Sequence, residues 1–272
     1  MQLCIVNIMD RKIIFFDIDG TLIDEHTLLI PNSTKKALAK MRANGHLAFI
    51  NTGRTACQIE SIKSKLEFDG FVCGCGTYVE FKDEVLCHKS LGENLTSKLV
   101  KSLKKHRIDG VLESIDGVYY DDIESIRHPE IFKVLKIHKS EGSYNGKTWY
   151  EDGLNVDKLV IFLNEDSDFD GFFNEFRNIF DFIKRAEDFY ELVPLNYSKA
   201  TGIQFIIEHL GIPFENTYAI GDSANDLTML KYVNNSIAMG NSNPKLFEIV
   251  NFVTKDINDD GIEYALKHFE II

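Results

Sequence analysis

The chain has 272 residues and a formal net charge of −12, with 44% hydrophobic and 26% charged residues. That is an ordinary globular balance, with length for one large domain or two modest ones. So acidic a chain lacks the positive footprint that nucleic-acid or membrane-surface binding needs, and no run approaches the ~18 apolar residues of a membrane span. Its cysteines are odd in number and show no framework spacing, which fits free thiols in a reducing compartment and predicts a cytoplasmic protein.

The mildly apolar stretch Met1 to Met9 reads as a leader strand, or as residues ahead of a start at Met9; it lacks the basic flank of a signal peptide. Residues 12–17 (KIIFFD) predict a buried strand. A helix follows, with Ser33 as N-cap, Ala37, Leu38 and Met41 as its apolar stripe and Gly45 as its stop. Residues 46–51 predict a second strand, Thr55 to Leu66 a helix, and Phe71 to Cys73 a short third strand.

Between residues 83 and 192 the pattern changes. The segment 78–89 predicts a hairpin turning at Asp83-Glu84, followed by a helix near 94–106 and a second hairpin over 111–121 turning at Asp116-Gly117. A helix near 128–136, a strand over 156–164, a helix near 170–179 and two short strands complete this part. Phe172, Phe173, Phe176 and Phe180 have the spacing of a buried helix face. Ser198 then caps a helix ending before Gly211, and strands are predicted at 217–221, 236–239 and 251–254.

Strand–helix alternation at both ends implies an α/β fold: a Rossmann-like parallel-sheet core with helices on both faces, carrying an inserted α+β module. The expected division is 1–82 with 193–272 as the core domain and 83–192 as the insert. In open parallel sheets, ligands sit beyond the C-terminal strand ends.

Four short motifs fall at such places. Asp17-Ile18-Asp19-Gly20-Thr21 follows the first strand; two carboxylates at i and i+2 reach one pocket only if the chain turns, which Gly20 permits. Asn51-Thr52-Gly53-Arg54 follows the second strand and offers a hydroxyl and free N–H groups as an anion seat, although a capping threonine has the same letters. Lys199 follows the capping Ser198, where it is either solvent-facing or a point charge for phosphate. Gly221-Asp222-Ser223-Ala224-Asn225-Asp226 sets two acids and an amide at a strand end, a hard-oxygen set suited to magnesium. Two other acidic stretches, 166–171 and 256–261, begin like calcium loops, but Arg177 and Lys267 stand where the bidentate glutamate belongs.

In order and spacing these motifs resemble those of the haloacid dehalogenase superfamily, in its Cof-type phosphatases, over nearly the whole chain including the tail 238–262. The resemblance implies a Mg2+-dependent phosphatase of small phosphomonoesters. Asp17 would be the nucleophile and a metal ligand. Asp19 would be the general acid and base, ligating metal through its backbone carbonyl. Asp222 would complete the protein's metal ligands and Asp226 would support them. Thr52, Gly53 and Lys199 would cradle the phosphoryl group, with Asn225 orienting Lys199 or touching phosphate. Arg54 would contact substrate or serve as a surface ion-pair partner. The insert would act as a cap that excludes water and sets specificity.

The expected partner is a small phosphorylated metabolite (a sugar phosphate, phosphorylated cofactor or nucleotide), with no nucleic acid and no membrane. A phosphomutase of the same superfamily and a silent phospho-ligand sensor are the alternatives. Asp19 favours hydrolysis, because an acid/base at that position speeds turnover of an acyl-phosphate. Two positions depart from the family pattern: Cys73-Gly74-Cys75-Gly76 stands where an Asn-Gly pair is common, and Ser223 where asparagine is common.

Overall fold

The computed structural model describes residues 10–272, so the expectations for Met1 to Met9 lie outside the described residues. The described residues divide into two units: 10–53, 63–87 and 198–272 form the first, and 54–62 with 88–197 the second.

In the first unit the early strands are β1 (Ile13–Phe16), β2 (Leu47–Asn51), β3 (Gly70–Cys73), β4 (Tyr78–Phe81) and β5 (Glu84–His88). The late ones are β11 (Thr217–Gly221), β12 (Asn235–Ala238) and β13 (Phe252–Val253). They form an eight-stranded sheet in the order β13-β12-β11-β1-β2-β3-β4-β5. It is parallel from β13 through β3 and turns antiparallel at β4. Both faces are buried, which is why β1 reads as an unbroken apolar run. Ile13, Phe15, Leu47 and Phe49 pack with Ile203 and Ile206 of the helix Lys199–Leu210. On the opposite face Tyr218 meets Phe269 edge-on, just beyond the helix Gly261–His268, which packs against the helix Asn32–Ala43. The strand order reverses at β1, with β2 on one side and β11 on the other; that reversal opens a crevice at the strand ends.

The second unit holds β6 (Asp109–Ser114), β7 (Gly117–Tyr120), β8 (Lys158–Phe162), β9 (Phe180–Lys184) and β10 (Phe189–Pro194) in the order β7-β6-β8-β10-β9. All its pairings are antiparallel. One apolar cluster joins Leu112, Leu159 and Ile161 to the helices Glu93–Lys105 and Phe169–Phe176; the other joins Val111, Tyr120 and Val160 to the helix Pro129–Glu141. Phe172 and Phe176 are buried on the helix Phe169–Phe176 as expected and Phe173 is only half-buried; Phe180 is buried too, but it opens strand β9 instead of extending that helix.

Four local expectations are corrected. Pro31, not Ser33, precedes the first helix, and the Ser33 hydroxyl is buried inside that helix without a partner among the described residues. Proline suits a helix start because its missing N–H would be unbonded there anyway. The helix expected over Thr55 to Leu66 starts at a reciprocal Thr55–Gln58 cap but forms only a 3-10 turn, Ala56–Gln58, and one short α-turn, Glu60–Lys63. Lys82 and Asp83 make the β4–β5 turn with φ of 49° and 65°, so Glu84 already belongs to β5. Gly117 likewise opens β7 and does not form the preceding turn.

Candidate active site

The crevice at the β1 reversal collects the carboxylates. Asp17 continues from β1, its N–H donating to the Ile220 carbonyl of β11 at 3.0 Å. Beyond it the chain turns through Gly20 at φ +77°, and the Gly20 N–H returns to the Ile23 carbonyl at 2.9 Å. A Cβ on Gly20 would lie 2.4 Å from Asp222 Oδ2, so glycine is required there both for its backbone angle and for the close approach. Asp19 is half-buried and bridges to Ile23.

Lys199 is the first residue of its helix, which Ser198 caps reciprocally with Thr201. Its side chain is buried, and Nζ lies 2.6 Å from Asp17 Oδ1 and 2.6 Å from Asp226 Oδ1. Burial alone would lower this lysine's pKa, but the two carboxylates outweigh it and hold the ammonium well above its ordinary value. The other Asp226 oxygen accepts the Asp222 and Ser223 N–H groups at 2.9 and 3.0 Å. Asp226 therefore orients Lys199 and shapes the Asp222 loop at once. Asn225 bonds to Ser223.

Asp17, Asp222 and Asp226 bring carboxylate oxygens within 4.8 Å of one another. Burial, then Asp226, pushes Asp17 up to about 7, and burial, then Asp17, pushes Asp222 up to about 8. Once all three are ionised, these carboxylates outweigh the charge of Lys199 by two, an excess that a divalent cation of hard-oxygen preference would offset. Both Asp226 oxygens are already engaged, so Asp17 and Asp222 are the carboxylates suited to hold Mg2+. These residues fit such an ion.

Thr52 is buried, with its N–H on the Val72 carbonyl at 2.9 Å and its own carbonyl accepting from Cys75 at 3.0 Å. Gly53 ends the first unit's segment here. Arg54 belongs to the second unit, where Nη1 meets Glu141 Oε1 at 3.1 Å and the Gln58 carbonyl at 3.3 Å.

Three residues that the motifs left without a role also serve the crevice. Thr21 donates to Asp222 Oδ1 at 2.9 Å. Asn241 donates to the Gly20 carbonyl at 2.8 Å while accepting the Ile257 N–H at 3.0 Å, tying the first loop to the tail. Asn51 donates to the Lys199 carbonyl at 3.0 Å. A cavity of about 190 Å³ opens beside Gly20 and Asp222, walled by Asp24, Asn241, Asp256 and Asn258, which places the tail stretch 256–261 at the crevice.

Residues 14–266 match the family model of haloacid dehalogenase-like hydrolases, and the chain belongs to that family. Within it the chain is a phosphatase-type enzyme, by the company it keeps. It is 35% identical over 267 residues to YkrA of Bacillus subtilis, which bears a provisional phosphatase name, spanning 97% of this chain and 100% of that one. It is 25% identical to YitU of the same organism, a 5-amino-6-(5-phospho-D-ribitylamino)uracil phosphatase, over 94% of this chain and 97% of that one. Among solved structures, the subclass IIB sugar phosphatase BT4131 superposes with a TM-score of 0.79 at 26% identity, covering 96% of this chain and all of that one.

Proposed function

We propose that this chain is a Mg2+-dependent phosphatase that hydrolyses small phosphomonoesters through an aspartyl-phosphate on Asp17. The observation that carries this reading is the placement of Lys199 Nζ at 2.6 Å from both Asp17 and Asp226, in a carboxylate cluster that one ammonium does not neutralise. Bound magnesium would supply the charge neutralisation that lets an anionic nucleophile approach an anionic ester.

The chain's own residues do the rest. An Asp17 carboxylate oxygen attacks phosphorus, the ester P–O bond breaks, and Asp19 protonates the departing oxygen. Water then attacks the phosphoryl group, gives its proton to Asp19, and the bond to Asp17 breaks to release inorganic phosphate. Thr52, the Gly53 N–H and Lys199 hold the phosphoryl oxygens during both displacements. Asp226 holds Lys199, while Thr21 and Gly20 fix Asp222.

The ribityl and sugar phosphates named for the similar phosphatases support a substrate of small polyol or sugar type. The insert expected over 83–192 is assigned the cap's role of selecting it. A cytoplasmic location belongs to the same reading and is supported by the free thiols of Cys57 and Cys87; no helix among the described residues is long and apolar enough to cross a membrane.

The test is phosphate release from a panel of sugar, cofactor and nucleotide monophosphates, with and without magnesium, for wild type and Asp17→Asn. Magnesium-dependent release that vanishes in the variant is expected. Release that persists in Asp17→Asn would overturn the nucleophile assignment, and no release from any ester would favour a mutase or a sensor.

A further inference from the structure

Asn51 ends β2 with no exposed surface. Its amide Nδ2 donates to the backbone carbonyl of Lys199 at 3.0 Å, across a sequence separation of 148, while its Oδ1 is buried and meets no donor among the described residues. A buried amide with an unsatisfied oxygen is a poor core residue, since an apolar side chain would not leave a polar atom stranded. The other contacts of the Lys199 helix start are of a different kind. Ser198 and Thr201 cap it locally. Glycines allow close packing: a Cβ on Gly76 would lie 2.4 Å from the Ser198 carbonyl oxygen, and one on Gly202 would lie 2.3 Å from Val72 Cγ1. The Asn51 bond fixes the backbone of Lys199 itself, to the strand end that leads into Thr52.

We propose that Asn51 is a positioning residue for phosphoryl transfer: its amide pins the Lys199 backbone so that Nζ stays between Asp17 and Asp226 in register with the Thr52–Gly53 seat. This deepens the phosphatase reading and rests on it. Asn51 touches none of the reacting atoms and acts through Lys199. Misplacement of a charge by a fraction of an ångström is felt chiefly in the transition state, where charge on the phosphoryl oxygens is redistributed. The loss should therefore fall on kcat more than on KM. Because the substitution also removes a stranded acceptor, stability should hardly change.

The experiment measures kcat, KM, the inhibition constant of inorganic phosphate and the thermal midpoint for wild type, Asn51→Ala, Asn51→Asp and Lys199→Arg, each in saturating magnesium. Asn51→Ala should lower kcat roughly tenfold to a hundredfold with KM, phosphate inhibition and midpoint near wild type. Asn51→Asp, which sets an acceptor against the Lys199 carbonyl, should be slower still. Lys199→Arg marks the loss expected when the charge itself is displaced, and it should weaken phosphate inhibition as well. A midpoint that falls in Asn51→Ala while kcat of the folded enzyme holds would reduce Asn51 to a structural residue and overturn the proposal. So would a rise in KM with kcat unchanged. An inactive wild type is a different failure, that of the phosphatase reading itself.

Discussion

Each unit buries one lysine between two carboxylates, yet the two clusters are built differently. In the second unit Lys158 Nζ lies 2.8 Å from Glu113 and 2.7 Å from Glu191, on neighbouring strands of one antiparallel sheet, and the Arg185 guanidinium stands 3.8 Å from Glu191. The two anions there meet cations on more than one side, since Glu113 also feels the charge of Arg54. In the first unit Lys199 lies between Asp17 and Asp226, Asp222 crowds in as a third carboxylate, and the group sits at the open ends of parallel strands. The balanced cluster is a strut within a sheet. The unbalanced one holds a negative excess at the place that the proposed function assigns to a cation and an anionic ester. The difference lies not in the residue types but in what the backbone brings beside them.

Removing each lysine separates the two accounts. Lys199→Met should lower kcat by roughly a thousandfold, the scale of losing a principal electrostatic donor, as read by steady-state kinetics. Lys158→Met strands Glu113 and Glu191 and should cost about 3–5 kcal/mol in denaturant unfolding, the range for breaking a buried pair, while the enzyme that remains folded keeps its kcat to within a few-fold. Comparable catalytic losses in both variants would break the distinction.

Magnesium sharpens it. Folding raises Asp17 to about 7 and Asp222 to about 8, so without a cation their contribution to stability is full below the unfolded carboxylate range of about 4 and is lost as pH climbs through about 7 to 8. Magnesium competes with those protons. Its stabilisation should be small near about pH 6 and should reach about 2.7 kcal/mol at roughly a hundredfold excess over its dissociation constant once the carboxylates are ionised. Thermal midpoints with and without magnesium across that range check this; a magnesium effect independent of pH would count against these ligands. The smallest effect belongs to the balanced cluster: Arg185→Gln, at a distant and partly exposed contact, should shift stability by less than about 1 kcal/mol and leave turnover unchanged.

The sequence made much of this visible because the chemistry clusters locally. Asp17 and Asp19 stand two apart behind an apolar run, and Asp222 and Asp226 share one loop. Ser198 announced the helix that carries Lys199, and Gly211, with φ of 63°, ended it as expected. What stayed hidden depends on contacts between distant parts of the chain. Thr21 reaches Asp222 across 201 residues, Asn51 reaches Lys199 across 148, and Asn241 reaches Gly20 across 221; no periodicity or local spacing encodes such partners. Near Thr55 the start was legible in the reciprocal Thr55–Gln58 cap, but the break into the separate turns Ala56–Gln58 and Glu60–Lys63 was not. Ser33 misled because a serine is a good cap in general, while Pro31, two residues earlier, already fixed the helix start.

The most direct test of the central claim is to trap the covalent intermediate. Asp19→Asn, incubated with magnesium and p-nitrophenyl phosphate, an ester whose leaving group needs no proton, is quenched in acid and its peptides are weighed by mass spectrometry. The account predicts one phosphoryl group, labile to hydroxylamine, on the peptide containing Asp17, and none when Asp17 is also replaced by asparagine. A phosphoryl group on any other residue, or continued turnover with no phosphoenzyme, would contradict it.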